Sequence, residues 1–304
     1  MYNYETLQTT YNRIIKIMKE EILPIFHKAV RLPLDQQLTA VKKLIKQGAD
    51  VQADDNYAFI ESIDNGNIEL VKYLVKQGAD IHARDDWAIQ GPSGMGRLEI
   101  VEYVISKGVD VNVNNNQAIK WAAERGDLDI VKLLIKHGAN VSTLDGRLIY
   151  SACANNYFNI LKLLFQHGLN IANVGGGALR IASESGNADI VMFLIDKGLN
   201  PAFNNSIALK NATSRRSSID ARKKIVRALV KHGADILILD AKEASKIFGS
   251  PEKAAKNITQ CESVNFIQTI VNRHVKYSKK GILTLMEQAD DWIKPYYLSV
   301  MSNF

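Results

Sequence analysis

The stretch GNIELVKYLVKQGAD, residues 66–80, decides the fold, because the chain writes it again as GRLEIVEYVISKGVD at 96–110 and as GDLDIVKLLIKHGAN at 126–140. Within each copy the apolar residues recur three and four apart. In the third copy Leu128, Ile130, Val131, Leu134 and Ile135 share one stripe from which Lys132 and Lys136 are excluded, the pattern of an amphipathic helix. Each copy closes on a glycine suited to the left-handed residue that ends a helix. Gly48, Gly78, Gly108, Gly138, Gly168 and Gly198 are thirty residues apart, and Gly233 follows after thirty-five. A fixed period of this length marks a repeat array, in which each unit buries its apolar face against its neighbours.

Each unit also contains a shorter first helix. It starts after polar residues suited to an N-cap, as at Asp55-Asn56, Asp85-Asp86 and Asn115-Asn116, and closes near Gly66, Gly126 or Gly186. One of its positions is alanine at 58, 88, 118, 178 and 208. Four residues on stands a second small column, Ser62, Pro92, Ala122, Ala152, Ala182 and Ala212. Small side chains let helices approach closely, so both columns are expected at the contact between successive units. His137, His167 and His232 recur just before the closing glycine, where a cation or a partner for the last carbonyls belongs. Ligands thirty or more residues apart in a stack do not converge on one metal ion.

The 304 residues are 46% hydrophobic and 23% charged with six prolines, the composition of a fully folded chain. A repeat array grows by adding layers, so the expectation is one continuous body. The opening MYNYETLQTT lacks the basic and apolar regions of a secretory signal, and no run of about 18 apolar residues spans a membrane, which places the protein in the cytoplasm without membrane contact. Two cysteines make no disulfide framework; Cys153 occupies the slot that Ala123 fills one unit earlier and reads as a buried thiol. Residues 1–100 carry 12 basic and 14 acidic side chains and residues 101–304 carry 26 and 18, so the net charge of +6 is polarised along the sequence.

The pattern of helix, glycine turn and helix, with G-x-x-x-[IV]-V-x-x-L-[IV]-x-x-G-A-D, resembles the ankyrin repeat family, whose usual period is about 33 residues. The T-P-L-H opening of that family is replaced by YAFI at 57–60, QAIK at 117–120, GALR at 177–180 and IALK at 207–210. The three absent residues fall where ankyrin repeats carry a projecting β-hairpin. The resemblance therefore implies an all-α ankyrin-repeat solenoid of stacked helix-turn-helix units with shortened fingers. Phrases such as QGADIHARDD and NQAIKWAAERGDLDIVKLL are similar to the 30-residue ankyrin families of mimivirus-like giant viruses of amoebae, which implies a viral protein acting in the host cytoplasm. The expected organisation is an N-terminal capping helix at 1–23, about seven repeats over 24–238, and a degenerate repeat with a helical cap or tail at 239–304. The first repeat is irregular, with RLPLDQQL expected between its helices.

Numbering the first helix from Gln117, positions 3, 6 and 7 pack inward and positions 1, 5 and 8 lie opposite. Position 1 holds Tyr57, Trp87, Gln117, Arg147, Gly177 and Ile207; position 5 holds Glu61, Gly91, Trp121, Ser151, Ile181 and Asn211; position 8 holds Asp64, Gly94, Glu124, Ala154, Glu184 and Ser214. The core columns repeat while these vary, as suits a common scaffold with a partner-specific surface. In the family this helix lines the groove where partners bind, which implies a protein partner for Trp87, Gln117, Trp121, Glu124, Arg125, Arg147, Ile181 and Glu184. Trp87 and Trp121 are the candidate anchors, set against simple packing on neighbouring repeats.

Two departures stand out. WAIQGPSGMGRLEIV at 87–101 puts Gly91, Pro92 and Gly94 inside a first helix, which should distort or break there, since an interior proline costs about 3 kcal/mol. It lacks the preceding strand that a phosphate-binding loop needs. The last regular repeat inserts SRRSSIDARKKIV, and Lys210, Arg215, Arg216, Arg222, Lys223, Lys224, Arg227 and Lys231 face the single acid Asp220. This patch supports a second reading as a site for an acidic ligand or nucleic acid, against a solvated helix face. Ser214, Ser217 and Ser218 beside these arginines are candidate phosphorylation sites. A third reading, a ubiquitin-ligase substrate adaptor, would need a docking box that 275–304 does not match. No catalytic motif is present, so no catalytic residue, metal or cofactor is assigned, and the chain is read as a monomeric, non-enzymatic interaction scaffold. Asp50, Asp80, Asp110 and Asp235, with Asn140, Asn170 and Asn200, read as structural loop residues.

Overall fold

The computed structural model describes residues 22–144, 146–171, 174, 176–213 and 218–234. The chain divides into two compact units, Met1–Leu144 and Asp145–Phe304. In the first, the helices are α1 (22–29), α2 (Leu34–Lys46), α3 (Ala53–Asp64), α4 (Ile68–Lys76), α5 (Ala83–Met95), α6 (Leu98–Ser106), α7 (Val113–Arg125) and α8 (Leu128–Lys136), followed by a 3₁₀ turn at Val141–Thr143. In the second they are α9 (Arg147–Asn155), α10 (Phe158–Gln166), α11 (Gly177–Ser185), α12 (Ala188–Asp196), α13 (Phe203–Ala212) and α14 (Ile219–Lys231). No strand occurs among the described residues, and in each unit those residues form paired helices. In the irregular first repeat RLPLDQQL is mostly helix rather than connection: α2 starts at Leu34, leaving only the residues up to Pro33 between the helices. Nearly all of the 1–23 cap, the whole 239–304 cap and tail, Asp235, Ser214, Arg215, Arg216 and Ser217 lie outside the described residues.

Odd-numbered helices form one layer of each unit and even-numbered helices the other. The first helices pack extensively on one another, α3 on α5 and α5 on α7 in the first unit, α9 on α11 and α11 on α13 in the second. The second helices touch each other more sparingly. The two small columns explain the difference: Ala58, Ala88, Ala118, Ala178 and Ala208 are buried, as are Ser62, Ala122, Ala152, Ala182 and Ala212. The apolar stripe of each second helix, such as Ile130, Val131 and Leu134 of α8, closes the core from the other side. At each end of that helix the closing glycine is left-handed; at Gly78 (φ 97°) the turn lets the Ala79 N–H reach back to the Leu74 carbonyl at 3.0 Å. His167 and His232 do bond the last turn, their Nδ1 atoms 3.0 and 2.8 Å from the carbonyls of Leu163 and Ala228.

The shortened finger has a specific construction. The acid or amide after each glycine folds back on the chain: Asp80 Oδ1 accepts the His82 N–H at 2.9 Å, and Asp50, Asp110, Asn140 and Asn200 do the same at 2.9–3.1 Å. Next comes a left-handed turn, made in the first unit by Asp54, Asp55 and Asn56 (φ 52, 53 and 56°), by Arg84, Asp85 and Asp86 (53, 55 and 59°) and by Asn114, Asn115 and Asn116 (49, 56 and 62°). The polar residues before the first helix therefore act differently from the N-caps expected of them: they form the left-handed turn itself, which Asn and Asp tolerate better than other residues with a Cβ. The turn also ties repeats together. Buried Asn56 accepts the Asp80 N–H at 2.7 Å through Oδ1, and Gln52 Nε2 donates to the Gly78 carbonyl at 2.7 Å.

Asn56→Ala puts a methyl group on left-handed backbone and strands the Asp80 N–H, and it should cost about 2–3 kcal/mol in urea unfolding of the full chain. Asn56→Gly keeps the backbone conformation and loses only the hydrogen bond, so it should cost about 1 kcal/mol less; equal losses would show that the left-handed turn is not the constraint.

Candidate partner-binding face

The face of the first helices that does not pack inward is built in the first unit around two tryptophans. Trp87 follows directly on the left-handed turn of α5, so its side chain leaves the helix at the first right-handed position. Its indole N–H donates to Asp64 Oδ1 of α3 at 3.0 Å. Trp121 of the next repeat meets it edge to face, with ring centroids 5.8 Å apart at 71°. Both rings are half-buried. Asp64, Trp87 and Trp121 thus form a continuous line across α3, α5 and α7, oriented by a hydrogen bond at one end and by an aromatic contact in the middle.

The glycines of 91–96 belong to this line. A Cβ added at Gly91 would lie 2.5 Å from Trp87 Nε1, and one added at Gly94 would lie 3.1 Å from Trp121 Cε3. The two glycines are the seats of the two indoles, one from the same helix and one from the next. The expected break in this helix does not occur: α5 runs through Pro92 to Met95, and its only non-helical residues are those of the initial turn. Pro92 sits in the buried small column, Ser93 Oγ donates to the Ile89 carbonyl at 2.7 Å, and the Arg97 N–H reaches the Pro92 carbonyl at 2.9 Å, so packing on both sides holds the helix where propensity alone would release it.

The other members of the face divide. Gln117 is half-buried and Glu124 exposed on α7, the same helix as Trp121. Arg125 turns away from the tryptophans: it pairs with Asp127 at 2.7 Å and its guanidinium covers Gly96. In the second unit Arg147 is exposed, Ile181 half-buried, and Glu184 lies 3.4 Å from both Arg180 and Asn211. A further group belongs to the face of the first unit although no site was assigned to it from the sequence. Arg31 bonds Glu61 at 3.2 Å and lies 5.5 Å from the Tyr57 ring centre, and His27 packs on that ring at 4.1 Å with Nε2 3.5 Å from Asp54. Tyr57 and Glu61 stand in the variable columns, but His27 and Arg31 belong to the irregular repeat, where the column numbering has no anchor. Burial, and then Glu61, raise the Tyr57 hydroxyl above its ordinary range.

Cys153 is buried and its thiol is pushed up to about 12 by desolvation, the inert behaviour expected of it. Among the described residues no cluster of His, Cys, Asp and Glu is arranged to hold a metal ion, and no helix is long and apolar enough to cross a membrane.

The family model described as ankyrin repeats (3 copies) matches residues 86–174 and 148–240, and the single ankyrin repeat model matches 57–86. The chain belongs to the ankyrin repeat family. Among solved structures, the human ASB11 ankyrin repeat domain is similar over 67% of this chain and 96% of its own, at 21% identity and a TM-score of 0.51. A chain from the complex of the predatory endopeptidase Bd0816 of Bdellovibrio bacteriovorus with immunity protein Bd3460 aligns over 57% of this chain and 96% of its own, at 27% identity and a TM-score of 0.44. No curated protein matches the sequence.

Gly91→Ala should raise the helix propensity of α5 by up to about 1 kcal/mol yet push the Trp87 indole off Asp64, giving red-shifted tryptophan emission without a matching gain in stability. Gly94→Ala should shift the emission less, because its contact is the looser of the two. For the buried thiol, a pKa near 12 leaves about 10⁻⁴ of Cys153 as thiolate at pH 8. In a Cys261→Ser background the folded chain should react with a thiol reagent only as fast as it opens, and with urea added the reaction should become immediate.

Proposed function

We propose that this chain is a non-catalytic scaffold that binds a protein through the free face of its first helices, with Trp87 and Trp121 as the central anchors and Gln117 and Glu124 beside them. The observation that carries the reading is the cost accepted to seat the two indoles. Gly91, Pro92 and Gly94 are three helix-weakening residues in one helix, and the glycines face tryptophans that remain half exposed on the variable columns. Partly exposed, pre-oriented tryptophans of this kind dominate the energetics of protein interfaces. Arg147, Ile181 and Glu184 extend the same columns in the second unit. Against a catalytic role stands the use made of the polar groups: the repeated loop acids close turns, the recurring histidines cap carbonyls, and the one described thiol is buried and protonated. The similarity of the 30-residue unit to ankyrin families of giant amoebal viruses supports a virus-encoded protein that acts as a monomer on a host or viral protein in the host cytoplasm.

Capture from amoebal lysate, repeated at low and raised salt, is the direct test. Wild type should retain a discrete protein that survives salt. Trp87→Ala and Trp121→Ala should each weaken that complex about 30-fold or more, while both variants still unfold cooperatively. A partner held at undiminished affinity by the folded double variant would remove the tryptophans from the site.

A further inference from the structure

The outer face of α14 is cationic in all three of its exposed columns, whereas α4, α6, α8 and α12 hold an acid in the first of them, α10 holds Asn159 there and α2 Thr39. In α4 and α8 an acid near the start of the helix pairs with a lysine three residues on: Glu69 with Lys72 and Asp129 with Lys132, both at 3.1 Å. That column reads Thr39, Glu69, Glu99, Asp129, Asn159, Asp189 and then Lys224. Lys224 thus stands where the neutralising acid stood, and the residue three on is Arg227. With Lys231 one turn further, these form an exposed stripe about 10 Å long at a rise of 1.5 Å per residue. Lys223 flanks it half-buried, and Lys210 is exposed on α13. None of the five forms an ion pair among the described residues. The one acid of α14, Asp220, is exposed in its first turn, where it suits the helix dipole. The adjacent α12 presents Asp189, Met192 and Asp196 on its exposed side, which confines an anionic partner to α14 itself.

We infer that the exposed stripe Lys224, Arg227 and Lys231 of α14 is a second docking surface, separate from the tryptophan face, and that it takes an acidic protein segment. Charge complementarity sets the sign of the partner, and the size of the stripe sets its class. Three cations about a helical turn apart match carboxylates displayed at the same spacing by an acidic helix or strand. Affinity for a duplex held through its backbone grows with the number of phosphates neutralised, and three cations in line neutralise few of them. The stripe carries no aromatic side chain on which single-stranded bases would stack. Binding here is salt-sensitive and independent of Trp121.

The test uses the full chain, a short labelled polyglutamate peptide as the probe, and a DNA duplex of matched length as competitor. At low salt polyglutamate should bind saturably, and Lys224→Asp with Lys231→Glu should weaken it about tenfold or more while Trp121→Ala leaves it unchanged. Lys224→Asp alone restores the acid and cation order of α4 and α8, so it should melt at least as high as wild type and still bind more weakly, which separates docking from folding. The inference is overturned if polyglutamate does not bind, if the doubly substituted chain binds it equally well, or if the duplex displaces it at lower concentration.

Discussion

Contact between successive first helices, made through two columns of small side chains, is the constraint from which the remaining structure follows. Alanine at one position and alanine, serine or proline four residues on bring α3, α5 and α7, and likewise α9, α11 and α13, against one another. A larger side chain in either column would separate the layers and open the core that each unit can close only with its neighbour. Because the first helices approach more closely than the second, each connection must turn sharply after the closing glycine. The short loop and the left-handed turn accomplish this, and Asn56 and Asn116 convert the turn into a hydrogen-bonded tie to the next repeat. The residues omitted relative to a longer repeat are those that a projecting hairpin would need.

The same packing sets aside a face for variation. Positions 1, 5 and 8 vary from repeat to repeat, and in α5 and α7 they lay two indoles along the helix surface. The arrangement trades local propensity for pre-organisation. The glycines weaken α5 but make room for the Trp87 and Trp121 indoles, whose orientations are set by Asp64 and by each other. Pro92 is tolerated because it occupies the buried column, where neighbouring helices hold the backbone. The second unit departs differently: α14 has 13 residues, against nine in α12, and carries Lys224 in the outer-face column where α12 has Asp189.

Much of this was legible in the sequence, since it depends on period and residue size. The glycine spacing gave the repeat and the alanine columns gave the contact, while the variable columns singled out Trp87 and Trp121, whose rings the structure brings together. The glycine and proline cluster was misread because its explanation is not local: Gly94 is required by a tryptophan twenty-seven residues later in the next repeat, and the proline is held by packing that single-helix propensity ignores. The polar tripeptides were assigned to capping because capping and left-handed turns recruit the same residues, Asn and Asp, and only the backbone angles separate the two uses. His27 and Arg31 escaped notice for a third reason, since an irregular repeat offers no register in which to number them.

The most direct test of the proposed binding face is hydrogen exchange on the full chain, alone and in complex with a captured partner. The account predicts added protection concentrated in the right-handed portions of the first helices, residues 87–95 and 117–125 above all, with the outer surfaces of α4, α6 and α8 unchanged. Protection confined to those second helices, with the first helices exchanging as in the free protein, would contradict it.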